Sequence, residues 1–215
     1  MLHSKFLYAL EIKNHLLAKE YWQNFASVLL LAKSLKLNVP DAITALEDRW
    51  LLPKGRGGLI KAINNSWIID GSYNASPDAF EAQLDLFKKV VEKNNFKPVL
   101  VVGDMRELGD VIAPQAHQQL AQRISQTKGV VYLVGSLMKT YVLPHLIEQK
   151  MTVKWFEDSY QLGKVLKQEL LENSLVLFKG SQNTIFLETA VEMVLKNIED
   201  KQLLCRQSKH WEKVR

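Results

Sequence analysis

A chain of 215 residues, 47% hydrophobic and 24% charged, can bury a sizeable core, which excludes disorder for most of its length. The net charge of +5 comes from acids and bases interspersed throughout, without the basic, aromatic-laced stripe that nucleic acid requires; a solvated mixed surface accounts for it, and a nucleotide or other phosphorylated small molecule fits it too. Cys205 is the single cysteine, so an internal disulfide and a multi-cysteine metal site are excluded. Apolar runs such as Val28 to Ala32 are too short to cross a bilayer, and no signal-peptide pattern opens the chain, so a soluble cytoplasmic protein with no membrane partner is expected.

In chain order, apolar residues at Trp22, Phe25, Leu29 and Ala32, flanked by Val28 and Leu35, predict a helix over Trp22–Lys36. A short helix is expected over Pro40–Asp48. Trp50–Gly58, with three glycines and a proline, reads as a loop and a domain boundary, dividing the chain into residues 1–55 and 56–215. Leu59–Ile63 and Ser66–Asp70 read as two strands joined by a hairpin turn at Asn64-Asn65. Helix and strand then alternate: helices at Pro77–Asn94, Pro114–Gln126, Leu137–Gln149, Tyr160–Leu171 and Thr184–Asn197, and strands at Val99–Val102, Val130–Val134, Thr152–Phe156 and Leu175–Phe178. The tail, Gln202–Trp211, is irregular. This alternation predicts an α/β, Rossmann-like fold, a mostly parallel sheet with helices on both faces, preceded by a small helical segment.

Four apolar runs end in small and polar residues before a helix: Trp67 to Asp78, Val99 to Gly109, Val130 to Ser136 and Leu175 to Asn183. Ser76 suits the cap of the first such helix, Pro77 its first position and Asp78 its positive end. All four turns should gather at one edge of the sheet, where open α/β sheets bind ligands. Arg56, flanked by glycines, suits a phosphate, or is a solvated linker arginine. Asp70, at a strand end, could meet a ribose hydroxyl or a hydrated metal, or cap its own turn. Ser72, Tyr73 and Asn74 offer hydroxyl and amide groups to a polar ligand, or bond among themselves. Asp104, Arg106 and Glu107 could position a charged substrate or form a salt-bridged turn. Lys179, Gly180 and Ser181 precede a helix whose free N–H groups would favour an anion. His117 shares its helix face with Leu120, Ala121 and Ile124 and reads as a satisfied core histidine; Cys205 and His210 suggest nothing specific. No dinucleotide glycine fingerprint and no Gly-Lys-Ser/Thr phosphate loop is present, which argues against independent ATPase activity.

Together, Asp70-Gly-Ser-Tyr-Asn-Ala-Ser-Pro77, Val102-Gly-Asp-Met-Arg-Glu-Leu-Gly109 with Ala116-His117 downstream, Phe178-Lys-Gly-Ser181 and Pro53-Lys-Gly-Arg56 resemble the Mur ligase family, in its branch that adds D-alanyl-D-alanine. The resemblance covers nearly the whole chain. Residues from about Leu16 to Asp48 look like the helical end of the central ATPase domain, and from about Gly58 onward like the complete C-terminal domain. It implies ATP-dependent peptide-bond formation in peptidoglycan biosynthesis, and so in cell-wall growth, cell shape and division. A carboxylate of a UDP-N-acetylmuramoyl-peptide is phosphorylated, and the amine of D-alanyl-D-alanine attacks the acyl phosphate. ATP and Mg2+ would serve the complete enzyme. By motif position Asn24 resembles the asparagine that contacts adenine, and Arg56 the linker arginine that reaches the ATP phosphates. Asp70 stands near the nucleotide-contacting aspartate, and the Ser72-Tyr73-Asn74 and Lys179-Gly180-Ser181 loops face nucleotide and amine substrate. No catalytic residue and no metal ligand is assigned within this chain.

The sequence departs from the family pattern at Ala18 and Glu20, where glycine and histidine are usual, and at Gly71, where the nucleotide-contacting aspartate usually stands. The phosphate loop, the magnesium-binding acids and the UDP-sugar domain belong to upstream sequence. The expectation is therefore the C-terminal portion of such a ligase, a fragment or split product inactive alone, whose partner chain carries the ATPase domain. The alternative is a non-catalytic binding module derived from a Mur ligase, with Gly71 and Glu20 as marks of decay. A sibling ligase adding another amino acid fits the Ser-Tyr-Asn-Ala string less well.

Overall fold

A computed structural model describes residues 10–11, 18–182 and 184–214, without the side chain of residue 212, and divides into two compact units, residues 1–52 and 53–215. Leu16, at the start of the segment likened to the central domain, and Asn183, at the end of the fourth strand–turn segment, lie outside the described residues.

The first unit pairs α1 (Tyr21–Ser34) with α2 (Val39–Arg49). Asn38 caps α2 by accepting the Asp41 N–H at 3.4 Å, and Pro40 sits in its first turn. Trp50 returns edge-on to Phe25, with ring centroids 5.3 Å apart. Of the apolar stripe expected on α1, only Phe25 and Ala32 are buried; Trp22 is 56% exposed, and Val28 and Leu35 are exposed as well. Two helices cover one flank of each other, so among the described residues of this unit the remaining apolar surface of α1 stays exposed.

The second unit is a six-stranded sheet in the order β1-β2-β6-β3-β4-β5. These strands are β1 (Gly58–Ala62), β2 (Ser66–Gly71), β3 (Lys97–Gly103), β4 (Val130–Val134), β5 (Thr152–Phe156) and β6 (Ser174–Lys179). β1 and β2 form the expected antiparallel hairpin. Asn64 and Asn65 both take positive φ, 54° and 51°, and the Ser66 N–H closes the turn on the Ile63 carbonyl at 3.1 Å. Every other pairing is parallel, so the carboxyl ends of β2 to β6 share one edge. The central strands are apolar between their ends, and β6 is buried along its whole length, as strands covered on both faces must be.

Helices cover both faces, a doubly wound Rossmann-like α/β arrangement. On one lie α3 (Pro77–Asn94), α4 (Gly109–Ser125) and α5 (Leu143–Glu148); on the other α6 (Ser159–Glu169) and α7 (Glu188–Met193) close a core around Ile68, Val101, Val176 and Phe178. Ser76 caps α3 through the Ala79 N–H at 3.3 Å, with Pro77 at its first position, and Asn95 ends it in a left-handed conformation. Asp158 caps α6 at 2.8 Å.

Several elements differ from expectation. α4 begins at Gly109 rather than Pro114, which lies inside it. The Leu137–Gln149 segment is a π-turn, Met138–Val142, followed by the short α5. The helix expected over Thr184–Asn197 shrinks to the six residues of α7, because Thr184 and Phe186 adopt positive φ before it. After it the chain turns to the free edge of β1: Ile63 N–H meets the Val194 carbonyl at 2.9 Å, and Lys196 N–H the Lys61 carbonyl at 3.1 Å. A 3₁₀ turn (Ile198–Leu203) and α8 (Lys209–Val214) order the tail that read as irregular.

Candidate functional site

The turns after β2, β3 and β6 meet at the carboxyl edge, and Ser181 ties them together. Its N–H donates to the Asp104 carbonyl at 3.0 Å, and its hydroxyl donates to the Ala75 carbonyl at 3.3 Å and accepts the Arg106 N–H at 2.8 Å. One buried serine thus joins three strand ends. The turn after β4 is fastened to the same edge by Asp104, whose Oδ1 accepts the Met138 N–H at 2.8 Å. Burial pushes the Asp104 carboxyl up from its ordinary value, against the lowering effect of that bond. His117 is the satisfied core histidine expected: fully buried, it accepts the Met105 N–H at Nε2 (3.0 Å) and meets the Ala113 carbonyl at Nδ1 (2.6 Å). Burial lowers its pKa, so it fixes the turn after β3 as a neutral ring.

The residues singled out from sequence separate into buried builders and rim groups. Asp70 is 1% exposed and spends Oδ1 on the Ser72 N–H at 3.1 Å, the turn-capping alternative; burial raises its pKa. Ser72 is buried against Cys205, Oγ to Sγ 3.5 Å. Lys179 is 3% exposed, with its ammonium donating to the Asn74 carbonyl. Burial, reinforced by the Arg56 charge, lowers its pKa to about 7. Gly180 is buried with Leu187 and the Gly103 backbone close against it. Among the described residues the next helix, α7, begins only at Glu188, so the free helical N–H groups expected directly behind this loop are not there, a correction to the anion site read from sequence. Tyr73 and Asn74 are half-buried, and Arg56, Arg106 and Glu107 are exposed. Asn24 belongs to the first unit, exposed on α1.

Arg56 lies with its guanidinium carbon 4.5 Å from the centroid of the Tyr73 ring. The linker holds it there: the Gly55 carbonyl accepts the Tyr73 N–H at 3.1 Å, and Gly55 takes φ +70° with Tyr73 Cβ pressed where a side chain would stand. Gly71 is equally constrained by space. A Cβ there would run into Gln83 Oε1 and stand 2.8 Å from the Phe178 carbonyl and 3.0 Å from Lys179 Cδ. An aspartate does not fit this backbone at 71, so Gly71 is a packing requirement of the β2–β6 pair.

Beyond the Ser181 knot a hollow of about 370 Å3 opens at the ends of β3, β4 and β5, lined by Arg106, Ser136, Lys139, Trp155, Glu157 and Thr184. Lys139 sits 4.1 Å over the Trp155 ring, whose Nε1–H donates to the Gly135 carbonyl at 2.8 Å. Asp104 lines its floor as well, and two cations with two acids around such a hollow suit a small zwitterion.

Two participants were not found from sequence. Glu188 and Arg206 form a fully buried ion pair beneath the Ser72-Tyr73 turn. Glu188 shares its helix face with the apolar Val191, a charge on a buried stripe that signals a partner; Arg206, in the tail, gives no signal at all.

Residues 55–182 match the family described as Mur ligase, glutamate ligase domain. The UDP-N-acetylmuramoyl-tripeptide–D-alanyl-D-alanine ligase of Rickettsia prowazekii is 32% identical over 167 residues, 76% of this chain and 35% of that protein. Its Bacillus subtilis counterpart is 29% identical over 189 residues, 80% of this chain and 40% of that protein. The chain therefore spans about a third to two fifths of the length of these relatives. Among solved structures, MurF from Acinetobacter baumannii superposes with a TM-score of 0.67 at 25% identity, covering 80% of this chain and 37% of that one. MurF from Thermotoga maritima, solved in complex with ADP, shares the fold at a TM-score of 0.66 and 23% identity, covering 90% and 41%. With more than half its length matching the domain, and its strand-end turns knotted at one edge, this chain belongs to the Mur ligase family.

Proposed function

We propose that this chain supplies the C-terminal part of an ATP-dependent ligase that adds D-alanyl-D-alanine to UDP-N-acetylmuramoyl-tripeptide, in the cytoplasm. Residues 1–55 are then a remnant of the central domain with its linker, and 56–215 the C-terminal domain. The observation that carries the reading is the Ser181 knot with Arg56 stacked at its margin: a pre-formed rim at the edge where α/β sheets take ligands. An exposed guanidinium beside a buried lysine suits the phosphates of a nucleotide, and the ADP bound by the Thermotoga maritima relative supports that match.

In this reading Arg56 faces the nucleotide, and the exposed sides of Tyr73 and Asn74 complete its border; Asn24, on the first unit, is the adenine contact that the family resemblance implies. Ser72, Lys179, Gly180, Ser181 and Asp70 hold the border in shape from beneath. The hollow beside Arg106 takes D-alanyl-D-alanine, its carboxylate toward Arg106 and Lys139 and its ammonium toward Glu157. ATP activates the substrate carboxylate by phosphorylation, with Mg2+ held by the ATPase domain. The chain's contribution is charge stabilisation and the approach of the amine. Gly71 and its packing remove the main argument for a decayed, non-catalytic module.

Ligation by the chain, mixed with a polypeptide carrying the phosphate loop, tests this. We expect turnover only in the mixture, falling about 100-fold or more on Arg56→Ala. Robust ATP hydrolysis by the chain alone, or a mixture indifferent to Arg56→Ala, overturns it.

A further inference from the structure

The residues that match the family end at 182, yet the tail beyond them reaches back under the rim. We infer that Arg206, anchored by Glu188, is a positioning residue that fixes the Ser72-Tyr73-Asn74 turn and, through the Tyr73 ring, the guanidinium of Arg56. The inference rests on the proposed nucleotide role of Arg56.

Arg206 uses its whole fork. Nη2 donates to the Ser72 carbonyl at 2.8 Å and Nη1 to the Tyr73 carbonyl at 3.2 Å. Nε and Nη2 grip the Glu188 carboxylate at 2.7 and 2.5 Å. The residue holds a left-handed backbone, φ +53°, which a non-glycine side chain adopts only when its surroundings impose it. A buried ion pair is a poor source of stability, because apolar side chains of equal volume fill such a space as well. What apolar side chains cannot do is hold two carbonyls at once. A lysine does not replace Arg206 either: its three N–H donors diverge from one atom and lack the planar fork that grips the Glu188 carboxylate and both carbonyls together.

The surrounding contacts make one interlocked unit. The Tyr73 ring lies within reach of two guanidiniums, Arg56 at 4.5 Å and Arg206 at 5.7 Å from its centroid. Gly55 packs against Tyr73 Cβ and Cys205 Sγ, so linker, turn and tail close on each other. Releasing Arg206 frees the turn first and the Arg56 stack with it, while the strands behind stay paired.

Amide hydrogen exchange on the full chain reads this directly. In Arg206→Lys the Tyr73 N–H should exchange about tenfold faster, while Val101 and Leu133, in the central strands, keep their wild-type rates. An unchanged Tyr73 rate overturns the inference. If Val101 and Leu133 also lose protection, Glu188→Gln becomes the deciding variant: it keeps the guanidinium and loosens its anchor, and an unchanged Tyr73 rate there overturns the inference equally. In the reconstituted ligation, Arg206→Lys should raise the KM for ATP about tenfold with kcat within about twofold, a split that general destabilisation does not produce. A wild-type mixture without turnover defeats the nucleotide reading of Arg56, and the exchange result still decides the clamp.

Discussion

Replacing Gly71 by alanine sets two effects against each other. Gly71 does not have a positive φ, so alanine fits the backbone conformation and should gain about 0.4–1 kcal/mol by restricting the unfolded chain. The added methyl, however, meets Gln83 Oε1, the Phe178 carbonyl at 2.8 Å and Lys179 Cδ at 3.0 Å. Gln83 and Lys179 can swing away, but the Phe178 carbonyl belongs to the β2–β6 ladder and moves only with the strand. Overpacking of this kind costs about 1–3 kcal/mol, so the middle of the two ranges makes Gly71→Ala destabilising by about 1 kcal/mol net, and Gly71→Asp by more. Gln83→Ala alone should be nearly neutral, because Gln83 Oε1 is a buried acceptor without a hydrogen-bond partner. Combined with Gly71→Ala it should recover part of the loss. Urea unfolding of the four chains gives the cycle. A neutral or stabilising Gly71→Ala would show that the β2–β6 pair has slack, and would restore Gly71 as a lost functional aspartate.

Lys179 gives a pH signature. Its folded pKa of about 7 lies below the ordinary 10.5, so between these values the unfolded chain binds more protons and stability rises with pH; below 7 the full cost of the buried charge is present. Unfolding free energy of the wild type should therefore gain about 1–3 kcal/mol over Lys179→Met between pH 7 and 9, and parallel profiles would refute this. Ser181→Ala removes the acceptor of the Arg106 N–H and the donor to the Ala75 carbonyl; a loss of about 1–2 kcal/mol in urea unfolding is expected, with faster exchange of the Arg106 amide. Tyr73→Leu keeps the bulk but removes the ring under Arg56; in the reconstituted ligation it should weaken ATP use, with folding measured by near-ultraviolet circular dichroism retained.

The sheet was legible because its strands are continuous apolar runs closed by glycine and polar residues, and the parallel order follows from their alternation with helices. The last helix was not. Leu187, Ala190, Val191, Val194 and Leu195 carry helical spacing, but Val194 and Lys196 bond to the edge of β1 instead, and tertiary pairing overrides the local pattern. At the site, the sequence located the turns but not their division of labour. Ser72, Lys179 and Ser181 read as ligand contacts because polar residues at strand ends usually face outward; here Lys179 and Ser181 donate to the Asn74 and Ala75 carbonyls, and the Ser72 carbonyl accepts from Arg206. Arg206 was invisible, since its partners lie 18 and more than 130 residues away.

Cys205 is a built-in clock for this rim. Its thiol is enclosed between Ser72 and Gly55, and burial raises its pKa to about 11, so a thiol reagent in solution finds neither access nor thiolate while the tail is seated. Labelling must wait for the tail to lift, and with a single sulfhydryl in the chain the kinetics report one event without engineering. Nucleotide analogues, partner polypeptides and solution conditions can all be ranked by how far they slow that modification.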